Sequence, residues 1–402
     1  MLKKSDSDKL IKNRIIMKIG IITHWKDQDN YGAALQSYAL QKYLQLLGHD
    51  AFIIRYYPKR ERNKLPRRIL NFLKNPLILL ELIKQRKLAR RHAVWNRLRN
   101  FDVFRNLKVV LSLGIYHGYE ELIANPPIAD LYITGSDQVW HGTLEDKQNR
   151  AFFLDFGPKH AQRISYAASF GRNYFPCVDK TLFKKLLSAF NGISMREKSG
   201  ITILKDMGIE SIHCLDSTLL LSYEHYKSLI VPRKHNIRYV YFYTVNVTSP
   251  SEVYWSQIRR YFEKQNLQCI VTTGSGYKKA EEIFNKALYD YSTVEEWLTN
   301  IYYSDLVVTA SFHGIIFAYV LRKNFIYMPL QGKYAKGNDR VTELLESVGL
   351  SNRIASSWND VIRITAEPID YNNLNNEEFN RLRNNSIEFL NQFLSKNNIS
   401  FL

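Results

Sequence analysis

The residues best suited to chemistry fall in polar loops, each after an apolar run that reads as a strand. His313 stands in TASFHG (309–314), after DLVVT, beside Ser311 and Gly314 and at the start of a helical stretch. An imidazole in such a loop can take or give a proton near neutral pH, whereas a structural histidine more often sits on an apolar face. Asp137 stands in GSDQVW (135–140), flanked by small and amide side chains. Its carboxylate could orient a sugar hydroxyl or act as a base, with an ordinary helix cap as the plainer alternative. Arg196, in SMREKSG (194–200), offers the bidentate fork that suits a carboxylate or phosphate, or else a surface ion pair. Asn30, Tyr31 and Gly32 precede a helix whose first N–H groups suit an anion, unless they form only a turn. Lys333, Lys336 and Arg340 crowd QGKYAKGNDR (331–340), where they could hold a phosphate or carboxylate, or simply keep the loop solvated.

Other chemistries lack their signatures. GxGxxG and the P-loop do not occur, so a dinucleotide or Walker-type nucleotide site is poorly supported. HExxH and GxSxG are also missing, and the 10 histidines are dispersed without metal-ligand spacing. Cys177, Cys214 and Cys269 form no CxxC pair, which excludes a disulfide framework and suits a reducing compartment. The expected cleft is basic and hydroxyl-lined with one well-placed histidine, fit for transferring a phosphorylated or anionic donor to a polar acceptor.

The elements that must position these residues alternate. MKIGIIT (17–23), the loop HWKDQDNYGA, the helix ALQSYALQKYLQLLGH and AFIIRYY (51–57) form a βαβ unit with parallel strands. Leu35, Tyr38, Ala39, Tyr43, Leu46 and Leu47 share one face of that helix, and Gly48 ends it. ADLYITGSDQVW (129–140), QRISYAASFG (162–171) and IHCLDSTLLL (212–221) continue the first set. SYEHYKSLIVPRKHN reads as a linker. RYVYFYTV (238–245), LQCIVTTG (267–274), DLVVTASFHG (305–314) and NFIYMPL (324–330), interleaved with helices, form a second set. The expected class is therefore α/β, with two Rossmann-like domains facing a cleft, at 17–222 and 236–375, and a helical tail at 376–402. Ligands of open α/β sheets bind at the carboxyl ends of strands, which directs attention to loops 24–33, 134–142, 169–173, 194–199, 273–278, 309–314 and 331–340.

The 402 residues suit two or three domains, and 13% aromatic content argues against disorder. The formal charge of +18 is uneven: residues 55–108 hold 17 Lys and Arg against Glu61, Glu81 and Asp102, a local balance of +14. Apolar residues recur there at helical spacing, which predicts a basic helical insert over 59–108 broken near Pro76. A solvated surface, contact with an anionic membrane face or lipid-diphosphate acceptor, and nucleic-acid binding all compete for it. No nucleic-acid module accompanies it, so no nucleic-acid partner is expected. No run of 18 apolar residues exists, and residues 1–16 lack the apolar region of a secretory signal, which predicts a cytoplasmic protein.

Taken together, these segments resemble the polysaccharide pyruvyl transferase family. The resemblance runs from about Met17 to Leu350. It rests on NYGAALQSYALQKYLQLLGH, ITGSDQVW, ISYAASFG, ISMREKSG, LDSTLLL, SDLVVTASFHGIIFAYVLRKNFI and NDRVTELLESVGL, in that order. It implies a fold like the GT-B glycosyltransferases, with a C-terminal helix returning to the first domain. It also implies pyruvyl transfer from phosphoenolpyruvate to a hydroxyl pair of a cell-surface polysaccharide or its lipid-linked precursor, giving a ketal and phosphate. His313 becomes the candidate acid/base, with Asp137 beside it. Arg196, Lys333, Lys336, Ser311 and Gly314 become donor-side candidates, and Asn30 and Gln36 acceptor-side candidates. The implied reaction needs no metal or cofactor, phosphoenolpyruvate being a co-substrate. The basic insert departs from the family pattern and is the candidate contact with the inner membrane face. The rival reading is a GT-B glycosyltransferase that uses a nucleotide sugar.

Overall fold

Alternating strands and helices bury a parallel sheet on both faces, and this chain does so twice. The structure is a computed structural model describing residues 16–26, 29–59, 97–175, 179–247, 249–274 and 284–394. The first sheet contains β1 (Lys18–Ile22), β2 (Asp50–Tyr57), β3 (Leu111–His117), β4 (Leu131–Asp137), β5 (Gln162–Ala168), β6 (Gly192–Met195) and β7 (Ile212–His213), in the order β3-β2-β1-β4-β5-β6-β7. The second contains β8 (Tyr239–Thr244), β9 (Gln268–Thr273), β10 (Leu288–Tyr289), β11 (Leu306–Thr309) and β12 (Phe325–Tyr327), in the order β10-β9-β8-β11-β12. The pairings are parallel; Ile22 lies opposite Thr134, and Thr309 opposite Tyr243. Strand order reverses between β1 and β4 in one sheet and between β8 and β11 in the other. Chain segments leave these neighbouring strands in opposite directions, which opens a crevice at their carboxyl ends.

The helices that matter for the site are α1 (Tyr31–Leu46), α2 (Phe101–Lys108), α3 (Lys198–Lys205), α4 (Val294–Tyr303), α5 (Phe312–Val320), α6 (Asp339–Ser347) and α7 (Glu377–Phe393). α1 is buried on more than the single face its apolar spacing predicts: Leu35, Tyr38 and Ala39 are buried, but so are Gln36, Ser37 and Gln41, while Leu46 is exposed. The reason is its position. It packs on the first sheet and also touches α4 and α5 of the second half. One apolar cluster consequently runs from Ile21 and Ile133 through Leu35 to Trp297, Phe317 and Leu345.

Tyr31, the first residue of α1, is the joint. Its ring stacks on Trp297 at 5.0 Å and 9°, meets Tyr243 edge-on at 5.7 Å, and its hydroxyl donates to the Ser292 carbonyl at 2.7 Å. Arg99 covers it from the first half, with its guanidinium carbon 4.7 Å from the ring centre. Arg105 is buried as well, donating to the Trp25 carbonyl at 3.0 Å and pairing with Asp29 at 3.1 Å. The C-terminal end of the basic segment is therefore built into the fold rather than solvated. Its helix does not continue through Asn100, which takes a left-handed conformation (φ 45°) before α2. The expected break near Pro76 lies outside the described residues. β3, a strand the sequence reading did not assign, follows as the edge strand.

After the second sheet, α7 returns to the first. Leu215 N–H donates to Ser386 Oγ at 2.9 Å, and Arg383 donates to the Leu220 carbonyl at 3.2 Å. Among the described residues, no helix is long and apolar enough to cross a membrane. Tyr31→Ala should lower the unfolding free energy by about 3–5 kcal/mol, as aromatic truncations in cores do. Urea unfolding measures this, and a loss below about 1 kcal/mol would show that the two halves are joined elsewhere.

Candidate active site

The two crevices face each other and form one cleft of about 350 Å³. His24 and Asn30 enter it after β1; Asp137, Gln138 and His141 after β4; Val245 and Asn246 after β8. Ser311, Phe312 and His313 enter after β11, and Leu330 and Arg340 after β12.

His313 is held by the way α5 begins. Ser311 caps the helix, accepting from Gly314 N–H at 3.4 Å, and its own N–H donates to Thr309 Oγ1 at 3.0 Å. Thr309 Oγ1 in turn donates to the Tyr243 carbonyl at 2.5 Å. Position 314 must be glycine, because a Cβ there would lie 2.3 Å from Thr309 Oγ1. The His313 ring lies against Gly32 of α1, where a Cβ would fall 2.1 Å from Nδ1. The imidazole of the second half thus rests on the helix start of the first.

Nε2 of His313 is 3.5 Å from Oδ2 of Asp216, a carboxylate with no exposed side-chain surface. Oδ2 also takes Arg196 Nη1 at 2.9 Å and Ser136 Oγ at 3.0 Å. Oδ1 accepts from Thr218 N–H at 3.1 Å and Thr218 Oγ1 at 2.7 Å. Burial alone would push Asp216 up, but the His313 and Arg196 charges and the Thr218 bond outweigh it and hold the carboxyl far below its ordinary range. The ionised Asp216 carboxylate faces the Nε2 edge of the His313 ring at ion-pair distance. Nε2 faces Asp216 and Nδ1 faces Gly32, and the residue lines the cleft.

The other sequence candidates divide. Asp137 lines the cleft at the end of β4 with φ 91°; its Oδ1 accepts from Gln138 N–H at 2.8 Å and lies 3.7 Å from Arg196. Arg196 lies beneath the cleft and does not line it: it is 5% exposed, and its Nε and Nη2 are buried without hydrogen-bond partners. Asp216, Glu197 and Asp137 more than offset its burial and raise its pKa. Lys333 and Lys336 are exposed on the turn Gly332–Gly337 and do not line the cleft. The cause is Asn338, which accepts from Leu330 N–H and Tyr327 Oη and donates to the Leu330 carbonyl, closing the turn outward so that Arg340 enters instead. Arg340 and Arg196 lie 5.4 and 4.9 Å from the Phe312 ring. Arg340 has no carboxylate within ion-pair distance among the described residues, and burial and the Arg196 charge push its pKa down. An anion beside Arg340 would relieve both penalties.

Asn30 lines the cleft, but its Oδ1 already caps α1, accepting from Gly32 and Ala33 N–H at 2.8 and 3.3 Å. Those two N–H groups are therefore taken. Gln36 is not in the cleft. It is buried against the first sheet, donating to Thr23 Oγ1 at 3.0 Å and the Ala33 carbonyl at 3.1 Å. Ser311 lines the cleft, while Gly314 is buried against β11 and β8.

The sequence did not assign His24, His141, Asn246 or Asp216 to the site. His24 Nε2 lies 3.3 Å from the Gln138 carbonyl, and His141 Nδ1 lies 3.2 Å from the Phe170 carbonyl. Burial and the adjacent Arg172 charge push His141 down, so it is neutral at pH 7. Both histidines fall in strand-end loops that topology had singled out. Asp216 lies in LDSTLLL, and nothing local marks it as a partner of His313.

Because the folded pKa of Asp216 is depressed, the stability it contributes is fully present above the ordinary carboxylate range, begins to be lost as pH falls through that range, and goes on falling toward the folded pKa far below it. Asp216→Asn should lower stability by about 3–5 kcal/mol at pH 7, since it leaves buried Arg196 short of its closest counter-charge. The gap to wild type should shrink below about pH 4. Urea unfolding at both pH values checks this; a gap that does not change with pH would contradict it.

Comparison with known proteins agrees with this architecture. The chain resembles the UDP-N-acetylglucosamine 2-epimerase of Rickettsia bellii, with TM-score 0.53, 9% identity, and coverage of 94% of this chain and 97% of that one. It also resembles the UDP-GlcNAc 2-epimerase of Methanocaldococcus jannaschii, solved with UDP-GlcNAc and UDP, with TM-score 0.51, 13% identity, and coverage of 94% and 100%. At these identities the likeness shows the GT-B-like fold alone. A search of curated protein sequences finds no match. The profile described as Polysaccharide pyruvyl transferase matches residues 30–331, a span that contains β2 to β12 and every residue of the cleft apart from His24, Asn30 standing at its first position, and Arg340. The chain therefore belongs to the polysaccharide pyruvyl transferase family.

Proposed function

We propose that this enzyme transfers the enolpyruvyl unit of phosphoenolpyruvate to two hydroxyls of a surface polysaccharide or its lipid-linked precursor, forming a cyclic pyruvate ketal and releasing phosphate. The observation that carries this reading is the cleft-lining pair of His313, backed by ionised Asp216, and Arg340, which has no carboxylate partner. A donor with a phosphate and a carboxylate needs cations, and Arg340 is the one placed to meet it. Arg196 acts through Asp216 and Phe312 rather than by contact.

The steps balance with one proton carrier. A sugar hydroxyl oxygen attacks C2 of the enolpyruvyl group, C3 takes a proton from the His313 imidazolium, and the hydroxyl proton returns to the ring. The second hydroxyl then bonds to C2 as the C2–O bond to phosphate breaks, and its proton leaves with the phosphate. Asp137 and Asn30 stand where they could orient the acceptor hydroxyls. The residues that carry these steps need no metal or organic cofactor.

In wild type, phosphoenolpyruvate should raise the melting temperature with concentration, and UDP-, GDP- and CMP-sugars should not. Arg340→Ala should abolish that rise. His313→Ala should retain it but slow phosphate release by roughly 100-fold or more. A rise with a nucleotide sugar and none with phosphoenolpyruvate would favour the glycosyltransferase reading instead.

The same proposal places the enzyme in the cytoplasm, in contact with the inner membrane face. In support, Leu98, Val103 and Leu107 are exposed within residues 55–108, whose sequence carries a local charge of +14, and Val110, Leu113 and Ile115 are exposed just after it in the sequence. A sequence that joins exposed apolar residues to an excess of cations suits an anionic lipid surface. The protein should bind anionic vesicles at low salt and leave them at high salt; equal binding at both would reject the contact.

A further inference from the structure

Two cations that the donor does not require stand next to cleft-lining His141 and the Tyr174 ring. Arg172, in the loop after β5, has Nη2 within 3.0 Å of the ring nitrogens of cleft-lining His141 and 2.9 Å from the His141 carbonyl. Its Nη1 lies 3.2 Å from Tyr174 Oη, and its guanidinium carbon 5.2 Å from the Tyr174 ring centre. Lys336, from the other half of the molecule, places Nζ 4.9 Å from the same ring. Two cations from different halves thus share one aromatic ring that is itself 47% exposed.

Neither cation has a carboxylate within ion-pair distance among the described residues, and Arg172 Nε is buried without a hydrogen-bond partner. Cation–π attraction offsets part of the repulsion, at about 0.5–1 kcal/mol per exposed contact. The arrangement still lacks a counter-charge. Arg340 sits on a different ring, Phe312, and is assigned to the donor.

We propose that Arg172 and Lys336 form an acceptor subsite that recognises a negative charge on the glycan, a uronate carboxylate or a glycan phosphate, near the hydroxyl pair to be pyruvylated. This rests on the pyruvyl-transfer reading above. Arg172 supplies a planar fork and Lys336 a point charge, and an anion between them bridges the two halves of the molecule. Lys336 therefore serves the acceptor and not the donor. The acceptor class is an acidic or phosphorylated glycan rather than a neutral one.

The test titrates the full chain with four probes: a glucuronate oligosaccharide, the matched neutral glucose oligosaccharide, that glucose oligosaccharide carrying a terminal 1-phosphate, and phosphoenolpyruvate. At least one charged oligosaccharide should bind more tightly than the neutral one, and which one binds identifies carboxylate or phosphate as the recognised group. Arg172→Ala and Lys336→Ala should each weaken that binding by about 10-fold, with the phosphoenolpyruvate response unchanged. Neutral and charged oligosaccharides binding alike, or no charged oligosaccharide binding, would overturn the proposal. So would variants that lose the phosphoenolpyruvate response, because the cations would then belong to the donor. If wild type ignores phosphoenolpyruvate yet binds the charged glycan through Arg172, the subsite stands and the donor assignment falls.

Discussion

A carboxylate removed from water must be met by charges and hydrogen bonds or it will not stay ionised. Asp216 is where this structure meets that demand. Arg196 comes from the end of β6, Ser136 from β4, Thr218 from the turn after β7 and His313 from the second sheet. Four separate stretches of chain thus converge on two oxygens, and the imidazole among them faces the cleft. If the halves parted, Asp216 would lose its neighbour and His313 its orientation.

The contact between halves is consequently part of the site. Tyr31 inserts into the aromatic cluster around Trp297, and the next residue, Gly32, leaves just enough room for His313. The Asn-Tyr-Gly segment serves as cap, anchor and clearance in turn: Asn30 starts the helix, Tyr31 locks it to the second half, and Gly32 admits the histidine. The N–H groups that might have received an anion are committed to the cap, so the positive side of the cleft is built from side chains. Arg340 lines the cleft beside Phe312, while Arg172 stands on cleft-lining His141 and shares the Tyr174 ring with Lys336.

The fold was legible because its signals are local. Apolar runs ending in polar loops gave the strands, and their alternation with helices gave two parallel sheets. Loops 24–33, 134–142, 309–314 and 331–340 do line the cleft; 169–173 and 194–199 do not, 275–278 lie outside the described residues, and Val245 and Asn246 after β8 were not among the loops that topology singled out. His313 was legible for the same reason, standing in a polar loop at a helix start. Side-chain direction was not. Lys333, Lys336 and Arg340 share one decapeptide, but only the Asn338 bonds to Leu330 and Tyr327 decide that Arg340 turns inward. The family resemblance makes Gln36 an acceptor-side candidate, yet α1 is covered on several faces, and Gln36 spends its amide on Thr23 and Ala33. Arg196 reads as a ligand contact until the fold sets buried Asp216 beside it. Asp216 itself required the second sheet to be docked before its partner was visible.

The most direct test is a double-mutant cycle on phosphate release from phosphoenolpyruvate in the presence of the glycan acceptor, using wild type, Asp216→Asn, His313→Ala and the double variant, each under conditions where it is folded. If Asp216 works by holding His313, removing the histidine makes the carboxylate irrelevant to turnover, and the double variant should be no slower than His313→Ala alone. Losses that multiply in the double variant would mean the two groups act independently and would contradict the pairing on which this account rests.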